Sequence, residues 1–437
     1  MTHETAPSTP PPHDAATQTD DLVLRDASVC WHPYTQHALE PHALPVASAK
    51  GAWLELTDGR RIFDGISSWW ATLHGHGNEH LIGALQTQLT RLDHVLFGGA
   101  THEPAVRLAE RLIEHAPAGL TRVFYSDNGS TAIEVALKMV LQRWVHLDQP
   151  ERRVIVALDS AYHGDTFGAM SVGDPDPFFQ AFAPFLFEVR RVPPTEDAMV
   201  AALEDLGSRA ARVILEPLLQ GAAGMLVQSE AYVRAVRAAC DQHGIPLIAD
   251  EVMTGFGRTG AMFACDRAGI APDLLCLAKG LTGGMFPMSA TLATESFFEA
   301  FLAQDKSRAF FHGHTFTAHP GGCAVGLASL DLLLQDDVPA RLEAIGGRIR
   351  AGIAHLSDHP KVRDLRGIGG IAAIELEPES GSGGYLAGQA PRLRAAAIER
   401  GVLLRPLGNV LYAMPPACTT DEEADRVAAV MVELVDV

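Results

Sequence analysis

Apolar residues along this chain follow two alternating spacings. Short apolar runs, including RVFYS, RVIVAL, ARVILEPL and IPLIADE, are separated by longer segments whose apolar positions recur every three or four residues. The runs predict buried strands and the longer segments predict amphipathic helices. Strands that alternate with helices favour a mostly parallel sheet covered by helices on both faces, so we predict an α/β fold.

Both ends of the chain depart from this alternation. GAWLELTDGRRIFDG predicts two short strands around the turn Asp58-Gly59, and after about residue 335 short strands mix with helices. The first residues are polar and rich in Pro, Ser and Thr, which is typical of a disordered tail. The predicted organisation is a tail over 1–20, a small α+β domain formed from 21–75 and 336–437, and a large α/β domain over 76–335.

The composition excludes several classes of protein. Of the 437 residues, 47% are hydrophobic and 20% are charged, which is ordinary globular usage and unlike a disordered chain. The formal net charge is −19, and no basic run is present that would bind nucleic acid. The apolar runs are shorter than the roughly 20 residues that cross a bilayer. We therefore predict neither a nucleic-acid nor a membrane partner.

The cysteines and histidines show no metal-binding or disulfide pattern. The six cysteines are unevenly spaced without a CxxC pair, and the N-terminus lacks the basic and apolar regions of a signal peptide. We predict reduced thiols and a cytoplasmic protein. Two HGH segments could indicate a metal site, because histidine is a common ligand of transition metals. However, the histidines lack the i,i+4 spacing of a helical site, and the two pairs are far apart in sequence. We predict no metal at His74, His76, His312 and His314.

The segment DNGST, residues 127–131, is the first candidate for chemistry. It joins a predicted strand to a predicted helix and supplies a glycine and two hydroxyl groups at the helix N-terminus, where free N–H groups bind anions. A capping box formed by Thr131 and Glu134 would explain the same residues without a ligand. GFGRTG, residues 255–260, fits the dinucleotide pattern G-x-G-x-x-G, but no helix follows it directly, so we predict no dinucleotide site.

An acid and a lysine each end a predicted buried strand. Asp250 and Glu251 follow IPLIA, and Lys279 follows DLLCLA. A surface turn and a lysine reaching out to solvent are the alternative interpretations. Together with the anion site and with Tyr162 and His163, these residues suit a cofactor with a phosphate, a ring nitrogen and an aldehyde. The combination predicts pyridoxal 5′-phosphate, whose protein partners are a Schiff-base lysine and a group at the ring nitrogen.

At these residues the chain resembles a known family. IADEVMTGFGRTG together with LAKGLTGG resembles the class III, fold-type-I pyridoxal-phosphate aminotransferases over roughly residues 30–420. WHPYT, DGISSWWATLHGHG, YHGDTFGAMSVGDP and LLRPLGNVLYAMPP resemble one branch of that family. In that branch S-adenosyl-L-methionine donates an amino group to 8-amino-7-oxononanoate in biotin biosynthesis, although some members use lysine as the donor.

The resemblance implies a role for each matching residue. Lys279 would bond to the cofactor, Asp250 would pair with its ring nitrogen, and both would be catalytic together with Tyr34. Tyr162 would stack on the cofactor ring and contact the substrate. The other implied cofactor contacts are Gly129, Ser130 and Thr315. The other implied substrate contacts are Tyr34, Trp69, Trp70, Lys279, Gly313 and Arg405.

The resemblance also implies a homodimer. Thr315 would reach the cofactor of the neighbouring subunit, and Gly313 would lie at the substrate pocket across the interface. His314 stands where some members of the family have proline. Three alternatives stay open: another class III transaminase acting on ω-amino acids, a pyridoxal-phosphate aminomutase, and a protein that binds the cofactor without catalysis.

Overall fold

The computed structural model describes residues 15–40, 43–379, 381 and 383–437. Residues 1–14 of the predicted tail lie outside this range. The first helix begins at Ala15, so the prediction of disorder is wrong for residues 15–20. The prolines of the tail end at Pro12, and no helix-breaking residue follows until Pro33.

Helices and strands are numbered in chain order. The helices are α1 (Ala15–Val29), α2 (Ser67–Trp70), α3 (Glu79–Leu89), α4 (Glu103–His115), α5 (Gly129–His146), α6 (Phe167–Val172), α7 (Glu196–Leu206), α8 (Glu230–His243), α9 (Ala264–Ala268), α10 (Glu295–Glu299), α11 (Pro320–Gln335), α12 (Val338–Ile353), α13 (Ala390–Glu399) and α14 (Asp421–Leu434). Shorter 3₁₀ turns span Gln180–Phe185, Gly207–Arg209, Lys279–Thr282, Lys306–Arg308 and Ala354–Asp358.

The strands are β1 (Val46–Lys50), β2 (Trp53–Leu56), β3 (Arg61–Asp64), β4 (Leu120–Ser126), β5 (Val154–Leu158), β6 (Val189–Val192), β7 (Ala210–Leu215), β8 (Leu219–Gln220), β9 (Leu226–Val227), β10 (Leu247–Asp250), β11 (Leu274–Leu277), β12 (Ser289–Thr294), β13 (Val362–Arg366), β14 (Ala372–Leu376), β15 (Val402–Leu403) and β16 (Val410–Ala413). Most apolar runs of the sequence form strands, as the pattern predicts.

A seven-stranded sheet forms the centre of the large α/β part. Its order is β4-β12-β11-β10-β7-β5-β6, and only β12 runs against its neighbours. The carboxyl ends of the six parallel strands therefore meet at one edge, which is where open α/β sheets bind their ligands. The prediction of a mostly parallel sheet is confirmed.

Helices cover both faces of this sheet. Along β5, the alternate residues Val154, Val156 and Leu158 join an apolar cluster that includes residues of α7 and α8. Ile155 and Ala157 join a different cluster that is built largely on α5. Because successive strand residues point to opposite faces, these two clusters lie on the two sides of the sheet.

Both chain ends contribute to the remaining sheets. β2 and β3 form the predicted hairpin, with Gly59 at φ +84° in its turn, and the C-terminal β15 pairs in parallel with β3. β13, β14 and β16 form an antiparallel sheet of their own. This pairing agrees with a small domain built from both ends, and its predicted boundaries at 75 and 335 stay a prediction. No helix in the described ranges is long and apolar enough to cross a membrane.

Candidate active site

A cleft of about 760 Å³ opens at the carboxyl edge of the central sheet. The segments that line it follow four parallel strands of that sheet and contribute Asn128 after β4, Glu216 after β7, Asp250 at the end of β10 and Lys279 after β11. Tyr162 and His163 line it from the loop after β5. The polar residues that the sequence singled out at strand ends thus meet in one place.

One end of the cleft is a cup formed by glycines and hydroxyl groups. A Cβ atom at Gly129 would lie 2.6 Å from a methyl group of Val252, so only glycine leaves the N-terminus of α5 open at this point. The Ser130 hydroxyl lies 2.8 Å from the Thr166 hydroxyl and accepts a hydrogen bond from the Thr166 N–H. This is the geometry of an anion site at a helix N-terminus.

The capping arrangement differs from the sequence-based alternative. Asn128, not Thr131, is the N-cap of α5: its side chain accepts from the Thr131 N–H, and the Thr131 hydroxyl accepts from the Asn128 N–H. Glu134 instead accepts hydrogen bonds from the N–H groups of Gly168 and Ala169 at the start of α6. The alternative pairing of Thr131 with Glu134 is not formed, because α6 packs against α5 and its N–H groups bind the carboxylate.

Asp250 lies in a buried polar network at the centre of the cleft. One of its carboxylate oxygens is 2.6 Å from Nδ1 of His163. Burial lowers the pKa of His163, but the hydrogen bond and charge of Asp250 and the charge of Glu216 outweigh it and leave that pKa raised. Burial raises the pKa of Glu216 to about 7. His163 Nε2 has no hydrogen-bond partner in the described part of the chain.

Glu251, the neighbouring acid, points elsewhere. Its carboxylate accepts hydrogen bonds from the N–H groups of Ala264 and Cys265 and from the Thr254 hydroxyl, and Glu251 is not among the residues that line the cleft. Burial raises its pKa to about 7. Of the two carboxylates at the end of β10, Asp250 lines the cleft and Glu251 does not.

Lys279 reaches into the cleft from a strained backbone position. Its φ is +46°, in the left-handed region that non-glycine residues rarely adopt. The Nζ atom lies 4.6 Å from the centre of the Trp70 ring. Burial lowers the pKa of Lys279 to about 8, although Asp250 and Glu216 favour its charged form. About a tenth of this amine is therefore neutral at pH 7, far more than for an ordinary lysine, which makes it a better nucleophile and base.

The two tryptophans stand on a left-handed helical turn. All four residues of α2 have positive φ values, between 44° and 72°. The Trp70 N–H bonds to the Ile66 carbonyl and the Ala71 N–H bonds to the Ser67 carbonyl, so the turn closes like an α-helix of the opposite hand. A left-handed residue other than glycine costs roughly 1–2 kcal/mol, and the surrounding structure must offset this.

Hydrogen bonds hold the turn at both ends. The Asp64 carboxylate accepts from the N–H and the hydroxyl of Ser68 and lies 2.8 Å from Nε2 of His76. The Ser67 hydroxyl donates to the Met414 carbonyl, and the Trp70 indole N–H donates to the Tyr412 hydroxyl. Strain that is held by so many contacts fixes the direction of both tryptophan rings.

The GFGRTG segment supports the same turn and forms no dinucleotide fingerprint. It forms turns between β10 and α9 and does not open a helix. Its arginine, Arg258, is fully buried and donates to the carbonyl groups of Trp70, Thr72 and Pro415. The glycines let the backbone wrap around a buried cation that anchors the cleft wall.

Tyr34 enters the site from the N-terminal segment. Its hydroxyl donates to the Asp165 carboxylate at 2.6 Å and lies 3.2 Å from the hydroxyl of Tyr162, which also donates to Asp165. Burial raises the pKa of both tyrosines, so both stay protonated. The edge of the Tyr34 ring meets Trp69. The structure thus joins two predicted residues through Asp165, which sequence reasoning missed.

Arg405 lies over the same aromatic wall. Its guanidinium carbon is 4.0 Å from the centre of the Trp69 ring and 5.8 Å from that of Tyr34. Stacking on aromatic faces leaves the N–H groups in the guanidinium plane available to an anion. Trp69 and Trp70 are adjacent, so the left-handed turn places one ring under Arg405 and the next under the Lys279 amine.

Gly313 and Thr315 do not join the cleft of this chain. Both are exposed on the loop before α11. Between them, His314 lies 2.7 Å from Asp127 at the rim of the cleft, and His312 lies 2.9 Å from Lys138. His74 and His76 pair with Ser329 and Asp64. Among the described residues no three or more possible ligands converge on a metal site.

Comparison with known proteins fits this geometry. The family model for class-III aminotransferases matches residues 34–435. The chain belongs to the class-III aminotransferases. It is 49% identical over 420 residues to the adenosylmethionine-8-amino-7-oxononanoate aminotransferase of Synechococcus elongatus, which covers 93% of this chain and 98% of that protein.

Solved structures of class-III aminotransferases also match the whole fold. The adenosylmethionine-8-amino-7-oxononanoate aminotransferase of Methanocaldococcus jannaschii superposes with a TM-score of 0.91 at 33% identity, covering 95% of this chain and 99% of that one. A pyridoxal-phosphate-bound amine transaminase from an uncultivated Pseudomonas species has a TM-score of 0.87 at 31% identity, with 93% and 98% coverage. The family resemblance seen in the motifs is confirmed.

Pyridoxal 5′-phosphate is the cofactor of this class-III aminotransferase. The cleft fits it by its own geometry, because an open glycine cup with two hydroxyl groups lies in the same cleft as a buried carboxylate and a lysine of lowered pKa. Sequence reasoning missed Glu216, Asp165, Phe178 and Tyr385 in and around this cleft. The sequence could have indicated Glu216, because it follows a buried apolar run in the same way that Asp250 ends one. Asp165, Phe178 and Tyr385 do not lie at the end of such a run.

Proposed function

We propose that this enzyme transfers an amino group from S-adenosyl-L-methionine to 8-amino-7-oxononanoate, giving 7,8-diaminononanoate in biotin biosynthesis. Relatives with that printed activity align along nearly the whole chain. The observation that carries the proposal is the pair of adjacent rings, with Trp70 at the Lys279 amine and Trp69 at the Arg405 guanidinium. An acceptor with a ketone towards one end and a carboxylate at the other matches these two ends of the wall.

The cofactor would be held by residues of the cup and the sheet edge. Bound pyridoxal phosphate supplies an aldehyde that takes up amino groups and a ring that withdraws electrons. Gly129 and Ser130 would bind its phosphate, and Tyr162 would stack on its ring. The Asp250 carboxylate, fixed by His163, would keep a proton on the ring nitrogen, because its negative charge stabilises the cation beside it.

Lys279 would have two tasks. It would bond to the resting cofactor, and once a substrate amine has displaced it, its free Nζ would carry the proton to and from the carbon that bears the amino group. A base works best when its pKa lies near the working pH, and the pKa of Lys279 is lowered to about 8. The Trp70 ring beside it would exclude water from the amine.

Both substrates would use one cleft in turn, which implies ping-pong kinetics. The flat walls formed by Tyr34, Trp69 and Trp70 suit an adenosyl group as well as an aliphatic chain. Arg405 would bind the acceptor carboxylate through two parallel N–H groups. Tyr34, whose hydroxyl is fixed by Asp165, would position the donor next to Tyr162.

The enzyme would act as a homodimer in the cytoplasm. Gly313 and Thr315 are exposed at the rim and would complete the neighbouring subunit's site, with Thr315 at its phosphate cup. The cysteines of the described chain are free thiols, which agrees with a reducing compartment.

The proposal is tested with the purified holoenzyme. S-Adenosyl-L-methionine alone should convert the absorbance of the bound cofactor to that of its amine form, and 8-amino-7-oxononanoate should then restore the original spectrum. Mass spectrometry should detect 7,8-diaminononanoate. The Lys279→Ala protein is the control, because it shows how much the cofactor reacts with the substrates when the lysine is absent. A spectrum that S-adenosyl-L-methionine and lysine both leave unchanged would exclude both donors of this branch.

A general amine transaminase is the second candidate, because the Pseudomonas amine transaminase has a TM-score of 0.87 to this chain. Simple ω-amino acids would then convert the cofactor faster than S-adenosyl-L-methionine does. Lysine is included as a third donor. An aminomutase would convert a single amino compound without needing a second substrate, so turnover with one substrate alone identifies that case.

A further inference from the structure

An aromatic residue beside the site comes from a segment that no sequence motif covers. Tyr385 lies in a glycine-rich loop before α13, and its ring centre is 4.6 Å from that of Phe178. Phe178 in turn contacts Tyr34 at 5.9 Å and Tyr162 at 5.8 Å. Tyr385 is therefore joined to the aromatic wall that faces the substrate.

The loop of Tyr385 is tied to the turn that follows Arg405. The Gly384 N–H donates to the Asn409 side-chain oxygen at 2.8 Å, and the Asn409 amide donates to the Leu376 carbonyl at 2.7 Å. Gly408 has φ +63°, and a Cβ atom there would overlap the Gly384 carbonyl. Only glycine allows the two segments to approach so closely, so the positions of Tyr385 and Arg405 are coupled.

The Arg405 guanidinium also acts on the Tyr385 hydroxyl. Burial raises the pKa of Tyr385, while the nearby Arg405 guanidinium acts in the opposite direction; the net pKa stays above the ordinary tyrosine value. The hydroxyl is therefore protonated at physiological pH. A guanidinium only donates, so it leaves the Tyr385 hydroxyl hydrogen available to an anion beside that arginine.

We propose that Tyr385 is a second positioning residue for the acceptor's carboxylate, donating its hydroxyl hydrogen to the anion that Arg405 binds. The inference rests on the proposed function, which supplies a carboxylate-ended acceptor. The Tyr385 hydroxyl adds a neutral hydrogen-bond donor to the charged donor of Arg405 and fixes the orientation of its guanidinium group. A role limited to packing on Phe178 would need the ring of Tyr385 but not its hydroxyl.

The experiment compares two ligands that differ only in the end group. Nonanoate and nonanamide have the same chain, and calorimetry on the holoenzyme measures the dissociation constant of each. Tyr385→Phe should weaken nonanoate binding about five- to tenfold, as expected for one hydrogen bond to a charged group, and should change nonanamide binding less than about twofold. The KM for 8-amino-7-oxononanoate should rise by a similar factor while kcat stays close to wild type.

Tyr232→Phe is the matched control. Tyr232 is buried on α8, and its hydroxyl has no hydrogen-bond partner in the described part of the chain, so removing it should change neither ligand's binding. The inference is overturned if Tyr385→Phe binds nonanoate as tightly as wild type does. It is also overturned if the variant binds nonanoate and nonanamide more weakly by the same factor, or if the wild-type enzyme does not bind nonanoate.

The two proposals fail in different ways. If wild type does not turn over 8-amino-7-oxononanoate but its preference for nonanoate over nonanamide is lost in Tyr385→Phe, the carboxylate site stands and the proposed acceptor is wrong. If turnover is found and the preference is unchanged in the variant, the acceptor stands and the role of Tyr385 is wrong.

Discussion

The imidazole Nδ1 of His163 lies 2.6 Å from the carboxylate of Asp250, and both side chains are buried. A carboxylate held in this way has a fixed position in the cleft. The neighbouring Glu251 is equally buried but is taken up by backbone N–H groups. Substitutions of these two adjacent acids should therefore have different effects, on activity at Asp250 and on stability at Glu251.

Asp250→Asn should keep its fold and bind some cofactor but lose most of its activity, because an amide cannot stabilise a positive ring nitrogen by charge. Single-turnover rates with the donor and a thermal melt measure the two properties. Glu251→Gln is the control: it should melt at a lower temperature and retain activity per folded molecule. An inactive Glu251→Gln beside a normal Asp250→Asn would show that the wrong carboxylate has been chosen.

Lys279→Ala should abolish turnover and lose the borohydride-stable attachment of the cofactor. The pKa of Lys279 is lowered from 10.5 to about 8, so the amine gives up its proton at a lower pH than a free lysine does. The rate at which cofactor-free protein combines with pyridoxal phosphate should therefore rise as pH increases through about 8 and then level off. A rate that climbs until about pH 10.5, or an adduct mapped to another lysine, would contradict this.

Tyr34→Phe removes a hydroxyl that donates to Asp165 and keeps the ring. The half-reaction with S-adenosyl-L-methionine should slow by about fivefold or more, corresponding to about 1 kcal/mol, while the melting temperature barely changes. Tyr125→Phe provides the contrast, since its buried hydroxyl donates to the Ala105 carbonyl in the core; stability should fall and rates should hold. A Tyr34→Phe protein that melts early but reacts normally would make its segment a packing element.

Arg405→Ala should raise the acceptor KM strongly and leave the donor half-reaction nearly intact, because it removes the cationic fork over Trp69. Arg61→Ala is a matched control, since Arg61 also lies over a tryptophan, Trp53, but is itself exposed at the start of β3. Steady-state kinetics with both substrates separates the effects. Equal damage to the two half-reactions would indicate a structural role for Arg405.

Thr315→Ala should weaken cofactor binding if this residue completes the neighbouring subunit's site. A direct test unfolds the Thr315→Ala and Lys279→Ala variants, mixes them and refolds the mixture, so that mixed dimers form. A mixed dimer with crossed sites has one site that carries both changes and one that carries neither, so activity should reappear. Activity that stays at the level of the two parents would place Thr315 outside the site across the interface.

The ends of strands explain why part of the site was predictable. Asp250, Lys279 and Gly129 each lie where a short apolar run meets a polar residue or a helix start, and parallel strands bring such points together whatever the loops do. The sheet itself followed from the alternating spacings for the same reason. These features depend on local pattern and on the geometry of the fold class.

The remaining features depend on contacts between distant segments. Tyr385 meets Phe178 across nearly half of the chain, and nothing near either residue marks the partner. Glu134 caps α6 because that helix packs beside α5, not because of its own neighbours in sequence. Four consecutive left-handed residues at Ser67–Trp70 contradict every local preference and are stable only in the folded surroundings.

That left-handed turn determines which parts of the specificity can change by small steps. A side-chain substitution at Trp69 alters the surface of the wall but leaves its backbone path, which is fixed by Asp64, Arg258 and Met414 from three separate segments. The loop of Tyr385 is held by fewer contacts at its tip. New substrate preferences should therefore arise, in nature or in the laboratory, by remodelling that loop, while the tryptophan turn is inherited unchanged.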